Sequence, residues 1–172
     1  MLVRKLTEDD LEAVWTLRLR ALQDNPEAFG STYEETVARG KAWMLQRFGQ
    51  GDEALFLGAF EEILIGMVGL HREANMKDRH KALVFGMYVL PDRRQHGVGK
   101  ALMQALIVQA QQLEGLEQLH LAVVTTNAAA RHLYHSLGFA LYGTAPRALK
   151  MGELYWDEDL MVYQYYEMCR TR

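Results

Sequence analysis

Arg93-Arg94-Gln95-His96-Gly97-Val98-Gly99-Lys100 gathers basic side chains around two glycines, a combination suited to holding an anion. Upstream, Ala82 to Val89 is apolar, aromatic and β-branched and reads as a strand, which Pro91 and Asp92 stop. Downstream, Val98 opens a helical apolar rhythm continued at Leu102, Leu106 and Leu113. The loop therefore ends at a helix N-terminus, where the first N–H groups lack intrahelical partners and carry the positive end of the macrodipole. A diphosphate can accept hydrogen bonds from several of these amides together. Gly97 and Gly99 would remove Cβ atoms that keep a ligand away, and Arg93, Arg94, Lys100 and a protonated His96 would add positive potential. The plainer alternative is a helix-start loop with turning glycines and solubilising cations.

Spacing excludes two common phosphate motifs. A Walker loop needs glycine where Arg94 stands and Ser or Thr where Ala101 stands. A dinucleotide fingerprint needs a third glycine at Leu102. What remains, Arg94-x-x-Gly97-x-Gly99 after a strand, resembles the acyl-CoA-binding signature of the GNAT superfamily of N-acetyltransferases. A second segment adds weight. Leu119, Leu121 and Val123 alternate as a strand, Asn127 offers a helix cap, and Ala128 to Leu137 reads as a short helix stopped by Gly138. Asn127, Tyr134 and Gly138-Phe139 are similar to that family's Asn…Tyr…Gly-Phe element. Taken singly, Tyr134 would be an ordinary half-buried helix tyrosine and Gly138 an ordinary C-cap.

The resemblance implies acetyl-CoA as acyl donor and a set of roles. Backbone groups of Met87, Tyr88 and Val89 would hold the pantetheine arm like an added strand, and an N–H near Val89 would polarise the thioester carbonyl. Gln95, His96, Gly97, Val98, Gly99 and Lys100, with Arg94, would wrap the diphosphate, and Asn127 would bind the cofactor by its amide. Tyr134 would be the catalytic residue that protonates the departing thiolate; a phenol with pKa ~10 still carries its proton at neutral pH. No metal is implied. The reaction would be direct attack by a primary amine in a ternary complex, and the alternative is a non-catalytic acyl-CoA-binding module that regulates a partner.

An alkylammonium of pKa about 10.4 is neutral in roughly one molecule per thousand at pH 7, so a base must take its proton. Family members often place a glutamate on the strand before the phosphate loop or on the strand before Asn127. Here neither strand offers one: no carboxylate lies between Lys81 and Val89, and His120 and Ala122 follow Glu117. His120, Glu34 and Glu35 are alternatives, each equally readable as structural. The acceptor would be a small amine, an amino acid or a peptide or protein N-terminus. Asp157-Glu158-Asp159 reads as a solvated charge run at a turn that could attract a cationic amine. Trp43, Tyr142, Tyr155 and Trp156 could line a pocket or belong to the core.

The elements that must position these groups follow from hydrophobic patterning. Leu2 to Leu6 reads as a strand, and Thr7 with Asp10 as a start for a helix through Leu11, Val14, Leu17 and Leu22, ended by Asp24-Asn25-Pro26. One second helix runs through Trp43, Leu45 and Phe48 after a loop from Phe29 to Glu35. Leu55 to Phe60 and Ile63 to Leu70 form a hairpin, and Leu160 to Tyr165 closes the chain as a strand. The order implies an α/β (mixed α+β) fold of the same superfamily, with a central mixed, mostly antiparallel sheet and helices on both faces. With 172 residues, 49% of them hydrophobic, and no linker or repeat, one domain over 1–172 is expected. A net charge of −3 argues against nucleic-acid partners, Ile63 to Leu70 is too short to cross a bilayer, and a single cysteine, Cys169, excludes an internal disulfide. A cytoplasmic, non-membrane protein is expected. The apolar run Leu160 to Tyr166 suits a homodimer interface or burial in its own sheet.

Overall fold

The computed structural model describes residues 1–48 and 53–165; Tyr166 and Cys169 lie outside them. The chain runs β1 (Leu2–Lys5), α1 (Leu11–Asp24), α2 (Tyr33–Arg39), α3 (Lys41–Phe48), β2 (Ala54–Phe60), β3 (Leu64–Arg72), β4 (Lys81–Val89), α4 (Val98–Ala110), β5 (Gln118–Val124), α5 (Ala128–Ser136), β6 (Ala140–Met151) and β7 (Leu154–Gln164). The strands form one sheet in the order β1-β2-β3-β4-β5-β7-β6. Among the described residues every pairing is antiparallel except β4 with β5. Both faces of β3 are covered, because all of Leu64 to Leu70 are buried and successive side chains point to opposite faces. The fold class read from the sequence is the one observed.

Local chemistry sets the helix starts. Asp10 accepts from the Thr7 amide at 2.9 Å and from both terminal nitrogens of Arg4 at 2.7 and 2.8 Å, which ties β1 to the turn before α1. These bonds to Arg4, offset in part by burial, hold the Asp10 carboxyl down at about 2. Thr32 and Glu35 make a reciprocal capping box on α2, with the Thr32 amide donating to Glu35 at 3.0 Å and the Glu35 amide to Thr32 Oγ1 at 3.1 Å. The single second helix expected from the apolar rhythm is two helices, broken at Gly40, which adopts φ +74.

Two irregularities decide where a ligand can sit. One residue of β3, Val68, faces two of β4, Gly86 and Met87, and this bulge is possible because Gly86 takes φ +64. Parallel pairing of β4 with β5 covers only Lys81↔Gln118, Ala82↔Leu119 and Leu83↔His120. Beyond Leu83 the two strands part. β4 stays bonded to β3, and β5 to β7, but their facing edges have no strand partner among the described residues.

β7 is longer than the strand expected from Leu160, and Asp157 to Asp159 lie within it rather than at a turn. Asp159 is buried and bonded to Arg131 of α5 at 2.7 Å and to Thr144 of β6 at 2.8 Å. The expectation of a solvated run holds for Asp157, which is exposed, and fails for Asp159, which central strand pairing places in a buried network. Tyr142 and Tyr155 are exposed, neither core nor pocket. No described helix is long and apolar enough to cross a membrane.

Candidate active site

Where β4 and β5 part, a cleft of about 780 Å³ opens between them. Its walls are Met87, Tyr88 and Val89 on one side and Leu121 to Val124 on the other, with Gly97, Gly99 and Lys100 at the start of α4. Arg94, Gln95, Asn127 and Tyr134 complete the predicted residues that it brings together. His96 and Val98 do not line it. His96 is exposed, with Nδ1 2.7 Å from the Arg94 carbonyl, and the Val98 side chain is buried in the core.

The two glycines do different work. Gly97 is the N-cap of α4 at φ +79, and a Cβ there would meet nothing within 4 Å, so it opens the helix end toward the cleft. Gly99 also lines the cleft, and a Cβ there would lie 3.1 Å from the Met87 side chain and 3.3 Å from that of Leu133, so it serves close packing as well.

Several side chains have structural partners as well. Arg94 donates to the Val89 carbonyl at 3.0 Å and to Asn25 Oδ1 at 2.8 Å, bracing the loop against the end of β4. Tyr88 donates to Asp24 of α1, and burial ahead of this bond pushes its phenol up to about 12. Asn127 Oδ1 accepts from the Ala130 amide at 3.1 Å and so caps α5, while its amide nitrogen makes no hydrogen bond among the described residues. Lys100 makes no ion pair among the described residues.

Tyr134 is buried, yet its hydroxyl makes no hydrogen bond among the described residues and borders the cleft. Burial pushes the phenol up to about 12. The Arg131–Asp159 pair, one turn earlier on α5, anchors this helix to the sheet.

A second cavity of about 320 Å³ adjoins the first, sharing Ala28, Phe29, Val84, Phe85, Gly86 and Ala122 with it. Trp43, Phe48 and Phe56 make much of its wall aromatic, and Arg18, Arg47 and Glu158 are its charged groups. Glu158 reaches it from β7, opposite Val124 of β5, and burial pushes its carboxyl up from the usual carboxylate range. This residue was missed as a site residue because only the β5–β7 register brings it beside Ala122. The sequence signal was present in the alternation across Trp156, Glu158 and Leu160, but the flanking aspartates disguised it. Glu34 and Glu35 line neither cavity, and Glu35 is committed to its cap. His120 also lines neither; Nε2 is 2.9 Å from Gln118 and the ring packs on Tyr142, while burial, then Lys81 and His80, lower its pKa.

Comparisons with known proteins agree with this geometry. The chain is 33% identical to a mycothiol acetyltransferase of Thermobispora bispora over 76% of its own length, and spans 43% of that relative. It is 29% identical to an L-methionine sulfoximine/L-methionine sulfone acetyltransferase of Pseudomonas aeruginosa, over 70% of this chain and 73% of the other. A Salmonella typhimurium structure solved with its cofactor acetyl-CoA shares the fold at a TM-score of 0.84 and 22% identity, covering 98% of this chain and 96% of that one. Residues 14–139, which hold the whole cleft from α1 to Phe139, match the model of the acetyltransferase (GNAT) family, and the chain belongs to that family.

Proposed function

We propose that residues 1–172 act as one N-acetyltransferase domain that moves the acetyl group of acetyl-CoA to a primary amine by direct attack in a ternary complex. The observation that carries this reading is the meeting of two cavities at Gly86 and Ala122, with a phenol bordering one and a carboxylate the other. The cleft suits an acyl-CoA. Its strand edge from Val84 to Val89 lacks a partner among the described residues and can bond an extended pantetheine arm, while the open, positive-φ start of α4 with Lys100 suits a diphosphate.

Acetyl-CoA supplies an activated acyl thioester. A β4 backbone N–H near Val89 aims a dipole at the carbonyl oxygen. Glu158 takes the proton of the acceptor ammonium, a task that its raised pKa favours, and the freed amine lone pair attacks the thioester carbon. As the adduct collapses, Tyr134 donates to the departing sulfur and the second amine proton restores the phenol. A phenol near 12 keeps its proton throughout the neutral range, and a thiolate released into the same desolvated cleft is itself raised, which narrows the gap between donor and acceptor. A missing base would favour the non-catalytic module, and Glu158 is a carboxylate available for that part. Relatives named for different acceptors support the transfer and leave the amine open.

The test is mass-spectrometric detection of acetylated products from acetyl-CoA and pooled amines, run with the native chain and Tyr134→Phe. A product that forms about 100-fold more slowly with the variant, at unchanged acetyl-CoA affinity, is expected. Equal rates would remove Tyr134 from its role, and acetyl-CoA binding without any product would favour the regulatory module.

A further inference from the structure

The smaller cavity holds an electrostatic imbalance that acetyl transfer alone does not explain. Arg18 from α1 and Arg47 from α3 both line it, and both are half-buried. Among the described residues neither guanidinium meets a carboxylate or any other hydrogen-bond acceptor. Their contacts are instead with ring faces: Arg18 lies 4.8 Å from the centre of Phe29, and Arg47 lies 4.9 Å from Trp43 and 5.0 Å from Phe85. Arg39, exposed, lies 5.2 Å from the centre of the same Trp43 ring and adds a third positive charge.

A ring face attracts a cation but satisfies none of its N–H donors. Partly burying two like charges beside each other is unfavourable unless an anion joins them. Burial and then the Arg47 charge lower Arg18 to about 10, and burial and then Arg39 lower Arg47. Among the described residues the one carboxylate on the cavity wall is Glu158, on the strand that pairs with the Ala122 strand, and it forms no ion pair with either arginine. The cavity is thus polarised, with fork-shaped donors on the helical side and a proton acceptor on the sheet side. Its volume of about 320 Å³ is at the small end of ligand sites, roughly 300–1,000 Å³, and its walls are aromatic.

We infer that Arg18 and Arg47 receive the carboxylate of the acceptor, so that the substrate class is a free amino acid with an apolar or aromatic side chain. The guanidinium fork matches a carboxylate in two parallel bonds, and the rings behind it hold each fork in place. A peptide N-terminus has an amide where this carboxylate would be, and a simple alkylamine has nothing there. The inference rests on the acetyltransferase reading for the amine's direction toward Ala122 and is independent of it for the anion site.

Calorimetric titration of the CoA-saturated protein with L-phenylalanine, L-leucine and L-methionine, their amides, and phenethylamine tests this. The acids bind at least about tenfold more tightly than the amides and the amine, the difference that a charge-assisted pair confers. Arg47→Gln, and separately Arg18→Lys, shrink that preference severalfold while CoA affinity and circular dichroism stay unchanged; a merely structural role would not move an acid-to-amide ratio. Equal binding of acid and amide, no binding of any of the three acids, or an undiminished preference in both folded variants overturns the inference. Acetylation of the bound acids is followed in parallel. Selective binding without acetyl product would sink the transferase reading and leave the anion site standing.

Discussion

Burial raises the pKa of Glu158 and of Tyr134 with opposite consequences: the carboxylate becomes a better proton acceptor and the phenol a more reluctant donor. Only the ionised form of Glu158 can act as base, so kcat/KM falls as pH drops through its raised pKa and levels off above it. Glu158→Gln is expected to lower the rate about 100-fold or more and to abolish that acid limb, while acetyl-CoA affinity holds. A pH–rate profile that keeps the same acid limb in the variant would assign the base elsewhere. Tyr134 imposes no opposing limb in the neutral range, because its proton stays until about pH 12.

At the scale of elements, the start of α4 is where a backbone conformation governs binding. Gly97 sits at φ +79 with open space around it, so Gly97→Val strains the turn and projects a branched side chain from the helix end. At least a tenfold loss of acetyl-CoA affinity is expected by calorimetry, and unaltered affinity would remove the diphosphate from this loop. The strand, loop and helix that build this half were legible in the sequence because each motif is contiguous and each turn has its own chemistry. Arg94-x-x-Gly97-x-Gly99 and Asn127 to Phe139 each span one element junction. The acceptor half was not legible. Arg18, Phe29, Arg47, Phe85 and Glu158 come from five separate segments, and no local spacing announces that α1, α3, β4 and β7 bring them to one cavity. The same gap explains the misread strand ending at Gln164: acidic residues lower the strand signal, but antiparallel pairing with β5 and β6 on both sides outweighs it.

Over the molecule as a whole, the two cavities share a boundary that includes Phe29, Phe85, Gly86 and Ala122, none of which carries a nucleophile. The proposed direct attack requires both substrates together, so initial-velocity plots at varied acetyl-CoA and amine are expected to intersect; parallel lines would point to a covalent acyl-enzyme. The parted edges of β4 and β5 also bear on how such a chain can drift. Main-chain N–H and C=O groups are the same whatever side chain each residue carries, so the cleft tolerates replacements at Met87 and Val89 that preserve the strand, whereas Gly86 is held by its positive φ. The neighbouring cavity is made of side chains, and a single exchange at Arg18, Arg47 or Phe85 changes what it admits. A lineage of this fold is therefore free to change its acceptor by point substitution while its donor site stays constant.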